Sequence, residues 1–143
     1  MRSHLHFHRL PAVLAAVLAL AAAQAGAQSY TFTDLGGLAG TTSSGRGINA
    51  AGDLVGRSTI SDGSASAALW KNGSTSDLGS LGAGGGIAFA VNDAGQAVGS
   101  SRSLPVAQTH ATLWAGNAVI DLGTLGGTDS SAFALNNAGQ AVG

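Results

Sequence analysis

Neither cysteine nor glutamate occurs in this 143-residue chain. The lack of cysteine excludes a disulfide framework, a thiolate metal site and a cysteine nucleophile. The lack of glutamate leaves seven Asp as the only side-chain carboxylates. Charge of either sign is scarce: charged residues make up 9% of the chain and the formal net charge is −1. Neither a nucleic acid nor an anionic membrane surface is therefore an expected partner. Large side chains are also few, with aromatics at 5%. Burying one large apolar side chain contributes roughly 1.5–3 kcal/mol, and alanine much less. A cysteine-free chain of this kind must hold together by close packing and backbone hydrogen bonds. The length suits one ordinary domain.

The first thirty or so residues carry a targeting pattern. Arg2 and Arg9 flank a start without acids, and LPAVLAAVLALAAA follows at residues 10–23. A basic start, a short apolar run and small residues before a cut site make a secretory signal peptide, expected to be a helix over residues 1–27. Ala25-Gly26-Ala27 places the cleavage between Ala27 and Gln28; cleavage after Ala25 is the alternative. The run is short of the roughly 20 apolar residues of a membrane span, and an uncleaved anchor is the remaining alternative. His4, His6 and His8 have ligand-like spacing but fall in the leader, so no metal role is expected. A secreted, periplasmic or cell-surface location follows, with no membrane attachment after cleavage.

Glycine, at 23 residues, is abundant, and its placement is periodic. Asp34 opens DLGGLAG, Asp77 opens DLGSLGA and Asp121 opens DLGTLGG. At matched offsets follow Asn49, Asn92 and Asn136, then Gly52, Gly95 and Gly139, then Gly56, Gly99 and Gly143. Trp70 and Trp114 recur late in the first two copies. The chain after the leader, residues 28–143, thus divides into repeats at 34–76, 77–120 and a shorter 121–143. An acid present once per repeat is better placed in a turn than in catalysis, because Asp before Leu-Gly can accept nearby backbone N–H groups.

Each complete copy reads as four short antiparallel strands. In IAFAVN, residues 87–92, Phe89 and Val91 are expected on one face and Ala88 and Ala90 on the other. The first copy has Arg46 where the others have Phe89 and Phe133, which suggests an uncovered end. Asn-x-Ala-Gly then makes a tight hairpin. The second strand points Val55, Val98 or Val142 inward and is interrupted by Gly56, Gly99 or Gly143, as where another backbone comes close or a bulge forms. A variable loop and a tryptophan-bearing third strand follow. Asn72-Gly73 and Gly116-Asn117 turn the chain into the fourth strand. No helical periodicity appears after the leader. The expected fold is all-β: tandem four-stranded antiparallel repeats, about two and a half blades of a partial β-propeller-like array. A superhelical β-array is the alternative, and a sandwich fits such regular repeats less well.

DLGTLGG, SAFALNNAGQAVG and THATLW together resemble the HAF repeat family of bacterial extracellular proteins, over residues 34–143. The resemblance implies secretion and a propeller-like repeat fold, and no established reaction. His110-Ala111-Thr112-Leu113-Trp114 has Thr where the family has Phe. Ser66 stands where a histidine would stand in the first copy, so a functional histidine in every repeat is not expected.

No chemical constellation emerges. The glycine-rich stretches lack a following Gly-Lys-Ser/Thr and a helix, so they are not phosphate loops. Asp62 and Asp129 stand outside any clustered calcium pattern. A triad through His110, or a carboxylate pair among Asp53, Asp62, Asp93 and Asp129, has no supporting spacing. Trp70 and Trp114 read as core rather than as sugar platforms. No catalytic residue, cofactor or metal is expected. The expected function is a secreted, non-catalytic structural or binding scaffold at the cell exterior. Loops 59–66 and 102–109 would meet a glycan or protein partner. The alternative is the N-terminal part of a secreted propeller-type glycan-active enzyme with its catalytic groups in further repeats. A closed propeller needs about four to eight blades. The chain therefore reads as part of a longer repeat protein, or as one that self-associates through an open edge at Gly143.

Overall fold

The structure is a computed structural model that describes residues 29–143. The leader, its Ala27–Gln28 cleavage site and the three N-terminal histidines lie outside the described residues. Ten strands fall in the compact unit Asp34–Gly143. The first sheet is a meander of β1 (Ser43–Ile48), β2 (Leu54–Thr59), β3 (Ala65–Lys71) and β4 (Ser74–Asp77). The second repeats it with β5 (Gly82–Val91), β6 (Ala97–Ser103), β7 (Thr109–Ala115) and β8 (Ala118–Asp121). A small third sheet pairs β9 (Ala134–Leu135) with β10 (Ala141–Val142). All pairings are antiparallel, and the described sheets do not close on themselves.

Local sequence explains the turns. Asn72 and Gly73 both take positive φ, 51° and 74°, as a two-residue hairpin requires. At the equivalent turn only Gly116 does, at 60°, so glycine leads and Asn117 follows.

The sheets stack face on face. Val55, Ala67 and Leu69 of the first sheet pack against Ala88, Val91, Ala97 and Trp114 of the second. On the other face of the second sheet, Val98, Ala111 and Leu113 pack against Ala132 and Leu135 of the third repeat. Each repeat thus offers a Val-Leu face to the alanine-rich face of the next. The small side chains let backbones approach: a Cβ on Gly47 would lie 2.7 Å from the Phe89 carbonyl oxygen. Val55 and Val98 are fully buried, whereas Val142 is 65% exposed.

Two strand expectations need correction. Ala88 pairs with Gly99 and Ala90 with Val98, so Phe89 is an unopposed bulge residue. The extra residue shifts the two-residue period. Ala88 and Val91 therefore share the face toward the first sheet, and Ala90 turns to the opposite face beside Val98. Arg46 is the bulge residue of the first sheet, opposed by nothing between Gly45 and Gly47. Phe89 and Phe133 meet with ring centroids 5.3 Å apart, while Arg46 is exposed. The second correction concerns Gly56 and Gly99, which do not interrupt their strands: β2 and β6 run through them. They sit opposite the bulges, where the neighbouring backbone leans in. A Cβ on Gly99 would lie 1.9 Å from the Ile87 carbonyl oxygen, and one on Gly56 2.0 Å from that of Ser44.

Candidate functional site

The three DLG turns have one geometry. Oδ1 of Asp34 accepts from Gly36 N–H (2.9 Å), that of Asp77 from Gly79 N–H (2.8 Å) and that of Asp121 from Gly123 N–H (2.7 Å). Each glycine has positive φ, between 65° and 76°. Such a carboxylate holds the turn that starts the repeat. The tryptophans close the same turns: Trp70 Nε1–H donates to Gly36 O (3.0 Å) and Trp114 Nε1–H to Gly79 O (3.2 Å). Both indoles are buried. They thereby satisfy a polar group that would otherwise be stranded in the core.

Asn49, Asn92 and Asn136 each hold their own hairpin and two of them reach into the next. Within a turn, the asparagine Oδ1 accepts from the N–H four residues on, at Asp53 (2.8 Å), Gln96 (2.9 Å) and Gln140 (2.9 Å). Gly52, Gly95 and Gly139 donate their N–H to the asparagine carbonyls of the same turns. Between turns, Asn49 Nδ2 donates to Asn92 O (3.0 Å), and Asn92 Nδ2 to Asn136 O (3.1 Å). A parallel row runs beside it: Ala50 N–H donates to Asp93 Oδ1 and Asp93 N–H to Asn137 Oδ1, both at 3.0 Å. Sequence reasoning placed the asparagines in turns and missed this ladder, together with Asp53, Gln96, Gln140, Asp93 and Asn137 as its members. The signal was available in the residue four places after each asparagine, which is always Asp or Gln.

His110 and Ser66 occupy equivalent positions and do equivalent work. His110 Nδ1 lies 2.8 Å from Asp121 Oδ2, and Ser66 Oγ–H donates to Asp77 Oδ1. Each ties the third strand of a repeat to the carboxylate that opens the next. Among the described residues no serine hydroxyl bonds His110, and no group of three potential ligands could hold a metal ion.

Four carboxylates are held below the ordinary value near 3.8. For Asp53 the main cause is the Lys71 ammonium at 2.6 Å, with Asn49 assisting. Ser64 does this for Asp62, His110 and then Gly123 N–H for Asp121, and Thr109 N–H and then Thr128 for Asp129. The folded values lie below the unfolded ones. Their stabilisation is therefore complete above the ordinary value and is lost as pH falls through the depressed folded values. The urea midpoint should stay level down to about pH 5 and fall progressively below it. A midpoint that holds steady or rises between pH 4 and pH 2 would contradict these contacts.

At the end of the strands away from the asparagine turns, the first two sheets border an open cleft of about 720 Å³. Its lining includes Arg57, Ser64, Ser100, Arg102 and Thr109 and the glycine run at residues 84–86. The loops between β2 and β3 and between β6 and β7, the variable loops of the sequence, flank it. Sequence reasoning named those loops but not the arginines, because the cleft exists only between repeats.

Comparison of the chain with protein-family models, with curated proteins and with solved structures finds no match.

Proposed function

We propose that this chain is a secreted, non-catalytic repeat scaffold that binds a glycan or protein partner at the cell exterior. The observation that carries this reading is the employment of every carboxylate. Asp34, Asp62, Asp77, Asp93, Asp121 and Asp129 each accept a hydrogen bond from a backbone N–H. Asp53 is buried and taken by Lys71 and Asn49. A general acid or base must be free to reach substrate and exchange its proton. Acids already spent on turns suit a framework better than a reaction centre. The open cleft between variable loops suits contact with a partner.

The four-stranded meanders, stacked face on face at a 43- or 44-residue interval, support a β-propeller-like array of HAF-type repeats. The exposed Val142 stands where Val55 and Val98 seat the next sheet. That face is proposed to receive a further sheet, from additional repeats or from a second copy.

Two measurements on the native protein test the reading. Intact mass of material recovered outside the cells should show loss of residues 1–27, or of 1–25. Incubation with a polysaccharide panel should release no new reducing ends. A protein retained inside with its leader, or turnover abolished by an Asp substitution, would overturn the proposal.

A further inference from the structure

The described chain contains four cationic Lys or Arg side chains: Arg46, Arg57, Lys71 and Arg102. Lys71 is paired with Asp53. The side chains of Arg57 and Arg102 have no hydrogen-bond or ion-pair partner among the described residues, and both line the same cleft. They come from different repeats and different repeat positions, Arg57 on β2 and Arg102 on β6. The repeat pattern therefore does not demand them: Ser100 stands at the position of Arg57 one repeat on, and Thr59 at the position of Arg102 one repeat back.

The neighbouring acids form no ion pair with the two arginines. Asp62, beside the lining residue Gly63, is turned onto Ser64 N–H at 2.8 Å. Asp129 is turned onto Thr109 N–H at 2.9 Å. Each carboxylate is bound to backbone rather than to a guanidinium. The remaining lining is serine, threonine, glycine and the two alanines Ala65 and Ala83, with Ile87 the one large apolar side chain. Such a surface offers hydroxyls and backbone groups for hydrogen bonding beside small apolar patches. Its volume lies within the roughly 300–1,000 Å³ range of small-ligand sites, well beyond a single inorganic anion. Guanidinium forks recognise carboxylates and sulfates in bidentate fashion.

We infer that this cleft binds an acidic glycan, a sugar chain bearing carboxylate groups, with Arg57 and Arg102 taking the acids and the hydroxyl-rich walls taking the ring hydroxyls. The inference rests on the partner-binding reading above and specifies its ligand class.

The test uses the full secreted chain titrated calorimetrically with a uronic-acid oligosaccharide, a neutral glucose oligosaccharide of equal length, and inorganic phosphate. The uronate should bind, weaken with added salt, and lose about tenfold in affinity with each of Arg57→Gln and Arg102→Gln. Both arginines are exposed, and circular dichroism checks that the variants keep the parent fold. Should one not fold, the salt dependence of the parent reads the same charges. Equal binding of the neutral sugar, unaffected by either substitution, overturns the role of charge and leaves the scaffold reading standing. Phosphate binding with no gain for the uronate overturns the glycan assignment. Binding of none of the three overturns the inference, whereas the scaffold reading falls only on the export and turnover measurements.

Discussion

Gly99→Ala should lower the unfolding free energy by about 3 kcal/mol or more, at the upper end of what overpacking costs. The new Cβ would sit 1.9 Å from the Ile87 carbonyl oxygen and 2.8 Å from the Ala88 Cα. Both obstacles are backbone, so no side-chain rotation relieves them. Moving β5 away would break its pairing with β6 on both sides of the Phe89 bulge and disturb the buried Ala88 against the first sheet. For a unit of this size the melting temperature should drop by roughly 10–20 °C. Gly95 supplies the contrast. Its φ is 77° but nothing lies within 4 Å of a Cβ there. Gly95→Asn, which tolerates that conformation, should cost well under about 1 kcal/mol. Thermal and urea unfolding of the two variants side by side decides the matter. A Gly99→Ala protein as stable as its parent would mean that the bulge does not bring the strands together in this way.

Asn92→Ala carries the second large effect, about 2–4 kcal/mol. Asn92 is 3% exposed. Its amide accepts from Gln96 N–H and donates to Gln96 Oε1 (2.8 Å) and Asn136 O (3.1 Å). Each neutral bond contributes about 0.5–1.5 kcal/mol net, and a buried group left unpaired costs about 1–3 kcal/mol. The same substitution should cost less at Asn49, which is half-buried, and least at the exposed Asn136. Chemical denaturation of the three single variants gives the ranking. Equal losses at all three positions would mean that the asparagines serve their own turns alone and that the inter-repeat bonds contribute nothing.

Much of this architecture could be read before any coordinates. The strand order within a repeat followed from the Asn-Gly and Gly-Asn turns, whose backbone demands leave few alternatives. The bulge was not legible, because Ala88-Phe89-Ala90-Val91 alternates in size as a regular strand would. Its trace lay on the partner strand, where Gly56 and Gly99 signalled a close backbone or a bulge without placing it at Arg46 or Phe89. The ladder was half legible: Asn92 announced a turn, but its bond to Asn136 O spans 44 residues. The paired roles of Ser66 and His110 were hidden because the two side chains share no chemistry except reach toward a carboxylate. The cleft was not legible at all. Arg57 and Arg102 stand 45 residues apart, out of register with the repeat, and only the stacking of two sheets brings them to one opening.

The asparagine ladder and the cleft lie at opposite ends of β2 and β6, and this gives the stack a mechanical character. The ladder stitches successive sheets along one side like the spine of a book, while the variable loops form the free margins of the pages. Small changes of angle at the spine would become larger openings at the margins. A molecule lodged between the pages would act as a wedge, and tension along the array would separate it leaf by leaf rather than all at once.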